Sequence, residues 1–129
     1  MRTVAEMVAE AKSRVRNLSP SEVAAARDAG TLLVDLREPE ERAAKGTIAG
    51  AVFAPRGMLE FWADPSSPYH RPEFDPEAQI ILYCASGGRS ALAATLLEEM
   101  GYGQVAHLEG GLAHWVEEGM PVEVEDTAS

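Results

Sequence analysis

Apolar residues along this chain follow two alternating rhythms. Short runs at residues 31–35, 51–53, 80–84 and 104–108 (Ile80-Ile81-Leu82-Tyr83-Cys84 is the most apolar) read as strands buried on both faces. Between them lie stretches with helical spacing. Val4, Val8, Ala11, Val15 and Leu18 recur every three or four residues, which predicts an amphipathic helix over residues 3–17. Its other face carries Glu6, Glu10, Lys12, Arg14 and Arg16, and it either packs on the domain or forms an oligomer contact. Ser19-Pro20-Ser21-Glu22 has the form of a helix start, with Ser19 as N-cap, Pro20 in the first turn and Glu22 closing a capping box; Gly30 ends that helix. Further helices are predicted at 38–44 (closed by Gly46), 89–100 (capped by Gly101) and 110–118 (stopped by Gly119 and Pro121), with a helical turn in 55–62. Leu92, Leu96 and Met100 read as a core stripe on the 89–100 helix.

Residues 64–77 hold Pro65, Pro68, Pro72 and Pro76 and read as an irregular loop. Its aromatics Tyr69 and Phe74, with Phe61 and Trp62, either wall a pocket or pin the loop to the core. Strands alternating with helices imply a three-layer α/β fold, a mostly parallel sheet flanked by helices on both faces. In such sheets, sites collect beyond the carboxyl ends of the strands. Asp35-Leu36-Arg37 and Cys84 both fall there.

Composition narrows the function. The 129 residues suit one domain, and 46% hydrophobic content supports a real core. The order along the chain reads as an N-terminal helical extension (1–18), the domain (19–122) and a polar tail (123–129). No apolar stretch approaches the ~20 residues that span a bilayer, so no membrane segment is expected. Nor does the chain open on the apolar block of a secretory leader. A single cysteine makes no internal disulfide, which fits a cytoplasmic protein. The net charge of −10 leaves no basic stripe for nucleic acid. It also means that any anion site must be local, built from loop N–H groups and arginines.

That cysteine, Cys84, ends an apolar run and begins the loop Ala85-Ser86-Gly87-Gly88-Arg89, ahead of a helix. Gly87 and Gly88 let the loop curl and aim backbone N–H groups at the sulfur. The helix N-terminus and Arg89 add positive potential, and all three favour thiolate over thiol. The same cradle suits a persulfide, and hence a covalent two-step transfer of sulfur.

Four stretches resemble the single-domain rhodaneses, a family of sulfurtransferases. They are Leu33-Val34-Asp35-Leu36-Arg37-Glu38-Pro39-Glu40-Glu41, Gly46-Thr47-Ile48-Ala49-Gly50-Ala51, Tyr83 through Ser90, and Glu109 through Trp115 with Gly119-Met120-Pro121-Val122. They occur in the family's order across roughly residues 19–122. The resemblance implies a rhodanese-like fold, with Cys84 as the persulfide-forming nucleophile and residues 85–89 as its anion-binding loop. It implies a small sulfur-containing anion such as thiosulfate as donor, cyanide or a thiol as acceptor, and no cofactor. Asp35 and Arg37 match a pair that ties loops beside the site. Arg56, in Pro55-Arg56-Gly57, is either a second substrate-anion contact or a plain surface arginine. One departure is Thr47, where the family usually has histidine; that histidine carries no sulfur, so transfer should survive its loss.

Two other readings stand beside this one. Related cysteine phosphatases and arsenate reductases place five residues between cysteine and arginine, often with histidine before the cysteine. Here there are four, and Tyr83 precedes; the shorter loop suits a sulfur atom better than a tetrahedral phosphate. A partner-binding module that carries a persulfide to another protein would use the same Cys84. His70, His107 and His114 share no metal-ligand spacing and read as ordinary loop, strand and helix residues; no metal is expected.

Overall fold

Two capping boxes start the first two helices. Thr3 and Glu6 cap α1 (Val4–Arg14), and Ser19 and Glu22 cap α2 (Pro20–Asp28) with Pro20 in its first turn. The computed structural model describes residues 1–124; the polar tail lies outside them from residue 125 onward. Helix α1 stops short of the predicted 3–17. Val15 is extended (φ −92°, ψ 165°), and residues 16–18 form strand β1 (Arg16–Leu18). Val15 and Leu18 are buried as their spacing predicts, but from an extended chain rather than a helix.

The remaining order is β2 (Leu32–Asp35), α3 (Pro39–Lys45), β3 (Val52–Phe53), a 3₁₀ turn (Arg56–Met58) running into α4 (Leu59–Ala63), β4 (Ile80–Tyr83), α5 (Gly88–Glu99), β5 (Val105–Leu108) and α6 (Gly111–Glu117). The five strands lie in the order β1-β5-β4-β2-β3, and every pairing is parallel. One isolated antiparallel bridge joins Thr47 to Glu123.

Alternate residues of the strands feed two cores, as a sheet covered on both faces requires. Val34, Ile80, Leu82 and Val105 pack with Leu59, Phe74, Ala93, Ala94 and Leu97. Leu33, Ile81, Tyr83, Ala106 and Leu108 pack on the other face with Val23, Leu112 and Trp115. The buried face of α5 is not the predicted stripe of Leu92, Leu96 and Met100. Met100 is exposed and Leu92 and Leu96 are half-buried, whereas Ala91, Ala93, Ala94 and Leu97 form the buried face. Alanines let α5 lie close to the sheet, and α1 covers its outer flank.

The proline-rich loop divides its aromatics. Phe74 is buried and pins the loop, and Arg71 stacks on Trp62 at 3.8 Å from the ring centroid. Phe61 and Tyr69 meet edge-to-face on the surface with ring centroids 6.2 Å apart. No described helix is long and apolar enough to cross a membrane.

Candidate active site

Strand β4 lies in the middle of the sheet with all four residues buried, and it delivers Cys84 to the carboxyl edge. The cysteine is 1% exposed. Its backbone is fixed from α6: the Leu112 N–H donates to the Cys84 carbonyl at 2.9 Å and the Ala113 N–H to the Ala85 carbonyl at 3.1 Å. The chain then turns through Gly87, whose φ of +99° is left-handed. That turn aims the Gly87 N–H at Cys84 Sγ (3.2 Å), and the first turn of α5 aims the Ser90 N–H at the same atom (3.4 Å). Two backbone donors at a helix N-terminus thus converge on the sulfur, an arrangement that stabilises negative charge there. Ala85 is half-buried, Ser86 is exposed on the rim, and Gly88 is the first residue of α5.

The close approach of α6 depends on Gly111. Its φ is +62°, and a Cβ there would lie 2.5 Å from the Cys84 carbonyl oxygen and 2.6 Å from the Ala85 carbonyl carbon. Gly111→Ala is therefore expected to destabilise the fold by roughly 2 kcal/mol or more. Chemical denaturation measures this; an unchanged midpoint would show that α6 does not press on the loop.

Arg89 does not stand alone as a positive charge. Its Nη1 and Nη2 donate to Glu41 Oε1 and Oε2 at 2.7 and 2.8 Å, a bidentate pair joining α5 to α3. The Arg89 hydrogen bonds hold the Glu41 carboxyl down to about 2, and the Glu41 hydrogen bonds, with a smaller field from Cys84, raise the Arg89 pKa. Much of Arg89's charge is offset, so the backbone donors supply more of the potential at the sulfur than the sequence suggests.

Asp35 and Arg37 form a buried ion pair, 0% and 1% exposed. The Arg37 backbone N–H and Nε donate to Asp35 Oδ1 at 2.9 and 3.0 Å, and Nη2 donates to Asp35 Oδ2 at 2.9 Å and to the Gly46 carbonyl at 2.6 Å. Burial opposes the Arg37 charge, but the Asp35 hydrogen bonds and field outweigh it, and the pKa is raised. The Tyr83 hydroxyl donates to Asp35 Oδ2 at 2.9 Å and accepts from the Ile48 N–H at 3.2 Å. Burial, then the Asp35 charge, push the Tyr83 pKa up. The cluster ties β2, β4 and the 46–48 turn together beneath the loop. Arg56 sits apart: its guanidinium donates to Glu60 at 2.8 Å, and no hydrogen bond or ion pair among the described residues joins it to the loop.

A chain of three polar side chains leads away from the sulfur, and no sequence motif points to it. Ser90 Oγ accepts from Cys84 Sγ at 3.5 Å and lies 2.9 Å from His107 Nδ1; His107 Nε2 lies 2.6 Å from Asn17 Oδ1. His107 lies in β5 as expected, but it is fully buried, two positions along from Val105 and opposite Leu82 of β4. The available signal was polarity: Ser90 and His107 interrupt positions that are otherwise apolar. While Cys84 is a neutral thiol, burial, with the field of Lys12, pushes the His107 imidazole down to about 4. A histidine lowered from its usual ~6.5 stabilises the fold above that value, and the contribution is lost as pH falls towards 4. Stability is expected to drop by on the order of 3 kcal/mol across that window. Denaturation at a series of pH values tests this, with His107→Gln abolishing that limb; an identical acid limb in the variant would rule it out.

Beside the loop, a groove of about 690 Å³ runs between α3 and α6, lined by Glu41, Ala44, Ala85, Leu112 and Val116 among others. A groove of the same volume lies at the opposite end of the sheet around Gly30, Thr31 and Gln79, away from the cysteine. Among the described residues, no three histidine, cysteine or carboxylate side chains gather where they could hold a metal ion.

The model of the rhodanese-like domain matches residues 19–118. The chain belongs to the rhodanese-like domain family. Among its relatives is a sulfurtransferase of Allochromatium vinosum, 35% identical over 91 residues, which cover 70% of this chain and 77% of that one. A protein of unknown function from Rhodopseudomonas palustris, described as a possible tyrosine phosphatase, superposes with a TM-score of 0.89 at 41% identity, covering 95% of this chain and 96% of that one. The polysulfide-sulfur transferase homodimer of Wolinella succinogenes follows the same fold with a TM-score of 0.75 at 30% identity, over 94% and 87% of the two chains. In this rhodanese-like domain, β1 and the whole of α1 precede the matched segment, yet β1 completes the sheet and contributes Asn17 beside His107.

Proposed function

We propose that this rhodanese-like protein is a sulfurtransferase that carries sulfane sulfur as a persulfide on Cys84. The observation that carries the reading is the convergence of the Gly87 and Ser90 N–H groups on Cys84 Sγ, in a loop with four residues between Cys84 and Arg89. The Cys84 thiolate attacks the outer sulfur of a donor such as thiosulfate. A sulfur–sulfur bond forms as the donor's bond breaks, and sulfite leaves with the electron pair. The acceptor, cyanide or a thiolate, then attacks the terminal sulfur and Cys84 leaves as thiolate. Because Cys84 is buried, a persulfide helps reach the acceptor, since it sets the reactive atom about 2 Å beyond Sγ, the length of a sulfur–sulfur bond.

The groove beside Ala85 favours a related reading, in which the acceptor is a thiol on a partner protein. In that case the persulfide still forms, but turnover with cyanide is slow. Phosphate-ester hydrolysis is the competing chemistry, and a loop of this length is short for a tetrahedral phosphate. Thiosulfate–cyanide turnover and aryl-phosphate hydrolysis, measured side by side, separate the two. Sulfur transfer without phosphate release is expected; phosphate release that disappears in Cys84→Ser would overturn the proposal.

A further inference from the structure

A buried thiol that becomes an anion must give its proton to something. Around Cys84 that destination is legible in the hydrogen bonds. Asn17 Nδ2 donates to the Lys12 and Val15 carbonyls, at 2.9 and 3.1 Å, which fixes Oδ1 as the atom facing His107 Nε2 at 2.6 Å. An oxygen there requires a proton on Nε2. The neutral ring then has an unprotonated Nδ1, which accepts from the Ser90 hydroxyl at 2.9 Å. With its proton committed to His107, Ser90 Oγ turns a lone pair to Cys84 and accepts the thiol proton at 3.5 Å. The network as it stands suits the thiol. It does not suit a sulfur anion, which needs a donor where Ser90 offers a lone pair.

We propose that Ser90, His107 and Asn17 form a relay that takes the Cys84 proton whenever the sulfur becomes anionic, with His107 as its store. The Cys84 S–H bond breaks, and its proton forms an O–H bond on Ser90. The original Ser90 O–H bond breaks, and that proton forms an N–H bond at His107 Nδ1. The electron pair stays on sulfur, and nothing is oxidised or reduced. Afterwards every contact has the right polarity: Ser90 donates to the anion, Nδ1–H donates to Ser90, and Nε2–H still donates to Asn17. Both thiolate and persulfide are anions, so the proton stays on His107 through the transfer cycle. His107 is thus a positioning residue acting through Ser90.

The surroundings are consistent with a ring that is charged only when the sulfur is. Strand β4 faces it with Leu82, β1 with Asn17, and α5 with Ser90, while Arg89 of α5 turns to Glu41. Lys12 of α1 opposes protonation of the ring, whereas an anionic Cys84, one hydroxyl away through Ser90, would favour it.

The relay rests on the thiolate chemistry proposed above, but its test needs no sulfur donor. Nitrogen-15 spectra of the histidines, with His107 assigned by its loss in His107→Gln, compare the wild-type protein in its thiolate form with Cys84→Ser. Two protonated ring nitrogens are expected in the first and one in the second. Ultraviolet titration of the thiolate in Ser90→Ala and His107→Gln should show its appearance moved to higher pH, with the thiolate fraction at neutral pH reduced roughly tenfold or more. Identical His107 nitrogens in both sulfur states would overturn the relay, as would an unchanged titration in both variants. A relay seen in a protein that takes up no sulfur would instead count against the transfer reaction alone.

Discussion

Cys84→Ser is expected to lower sulfur transfer from thiosulfate to cyanide by at least about three orders of magnitude, the scale seen when a covalent nucleophile is removed. The fold should be untouched. Serine is nearly isosteric, its hydroxyl accepts the Gly87 and Ser90 N–H groups that now reach the sulfur, and the backbone hydrogen bonds from Leu112 and Ala113 do not involve the side chain. Steady-state kinetics and a denaturation curve on the same preparation check both halves. A variant that keeps a tenth of wild-type turnover would place the chemistry elsewhere.

Asp35→Asn should produce the largest loss of stability. It removes the carboxylate from a fully buried arginine and keeps the volume almost unchanged, so packing is not the cause. Leaving one partner of a buried pair uncompensated costs about 3–5 kcal/mol. Folded domains of this size have about 5–15 kcal/mol in total. The effect reaches further than Arg37. The Tyr83 hydroxyl loses a charged acceptor, and Arg42, 3.3 Å from Asp35 Oδ2, loses one of its contacts with a charged group. Chemical denaturation measures the difference; a loss below about 1 kcal/mol would mean that the Asp35 charge does not hold the β2–β4 junction. Because Tyr83 immediately precedes Cys84, loosening this junction should also reduce turnover before the protein unfolds.

Residues close together in sequence announced their part of the site. The apolar run into Cys84, the glycines after it and the following helix are contiguous, and backbone geometry alone brings Gly87 and Ser90 to the sulfur. The parallel three-layer arrangement was equally legible, because continuous apolar runs alternating with helical spacing leave few alternatives. Strand β1 was not legible. Arg16-Asn17-Leu18 has no apolar run, and Val15 and Leu18 continue the period of α1 although the chain has already left the helix. Without β1 there was no reason to set Asn17 beside His107, which the register of β1 and β5 does directly. Glu41 was hidden for a similar reason: it lies 48 positions from Arg89, and only the tertiary fold brings the two side chains together.

Sulfur uptake by Cys84 is the step on which every other role of the loop depends. Intact-protein and peptide mass spectrometry after incubation with thiosulfate, a polysulfide and a low-molecular-weight persulfide is the decisive measurement. The expected result is one added sulfur from at least one donor, located on Cys84, released by cyanide and absent in Cys84→Ser. Wild-type protein that gains no sulfur from any of these donors, or gains it at a site that survives Cys84→Ser, would contradict a persulfide on Cys84.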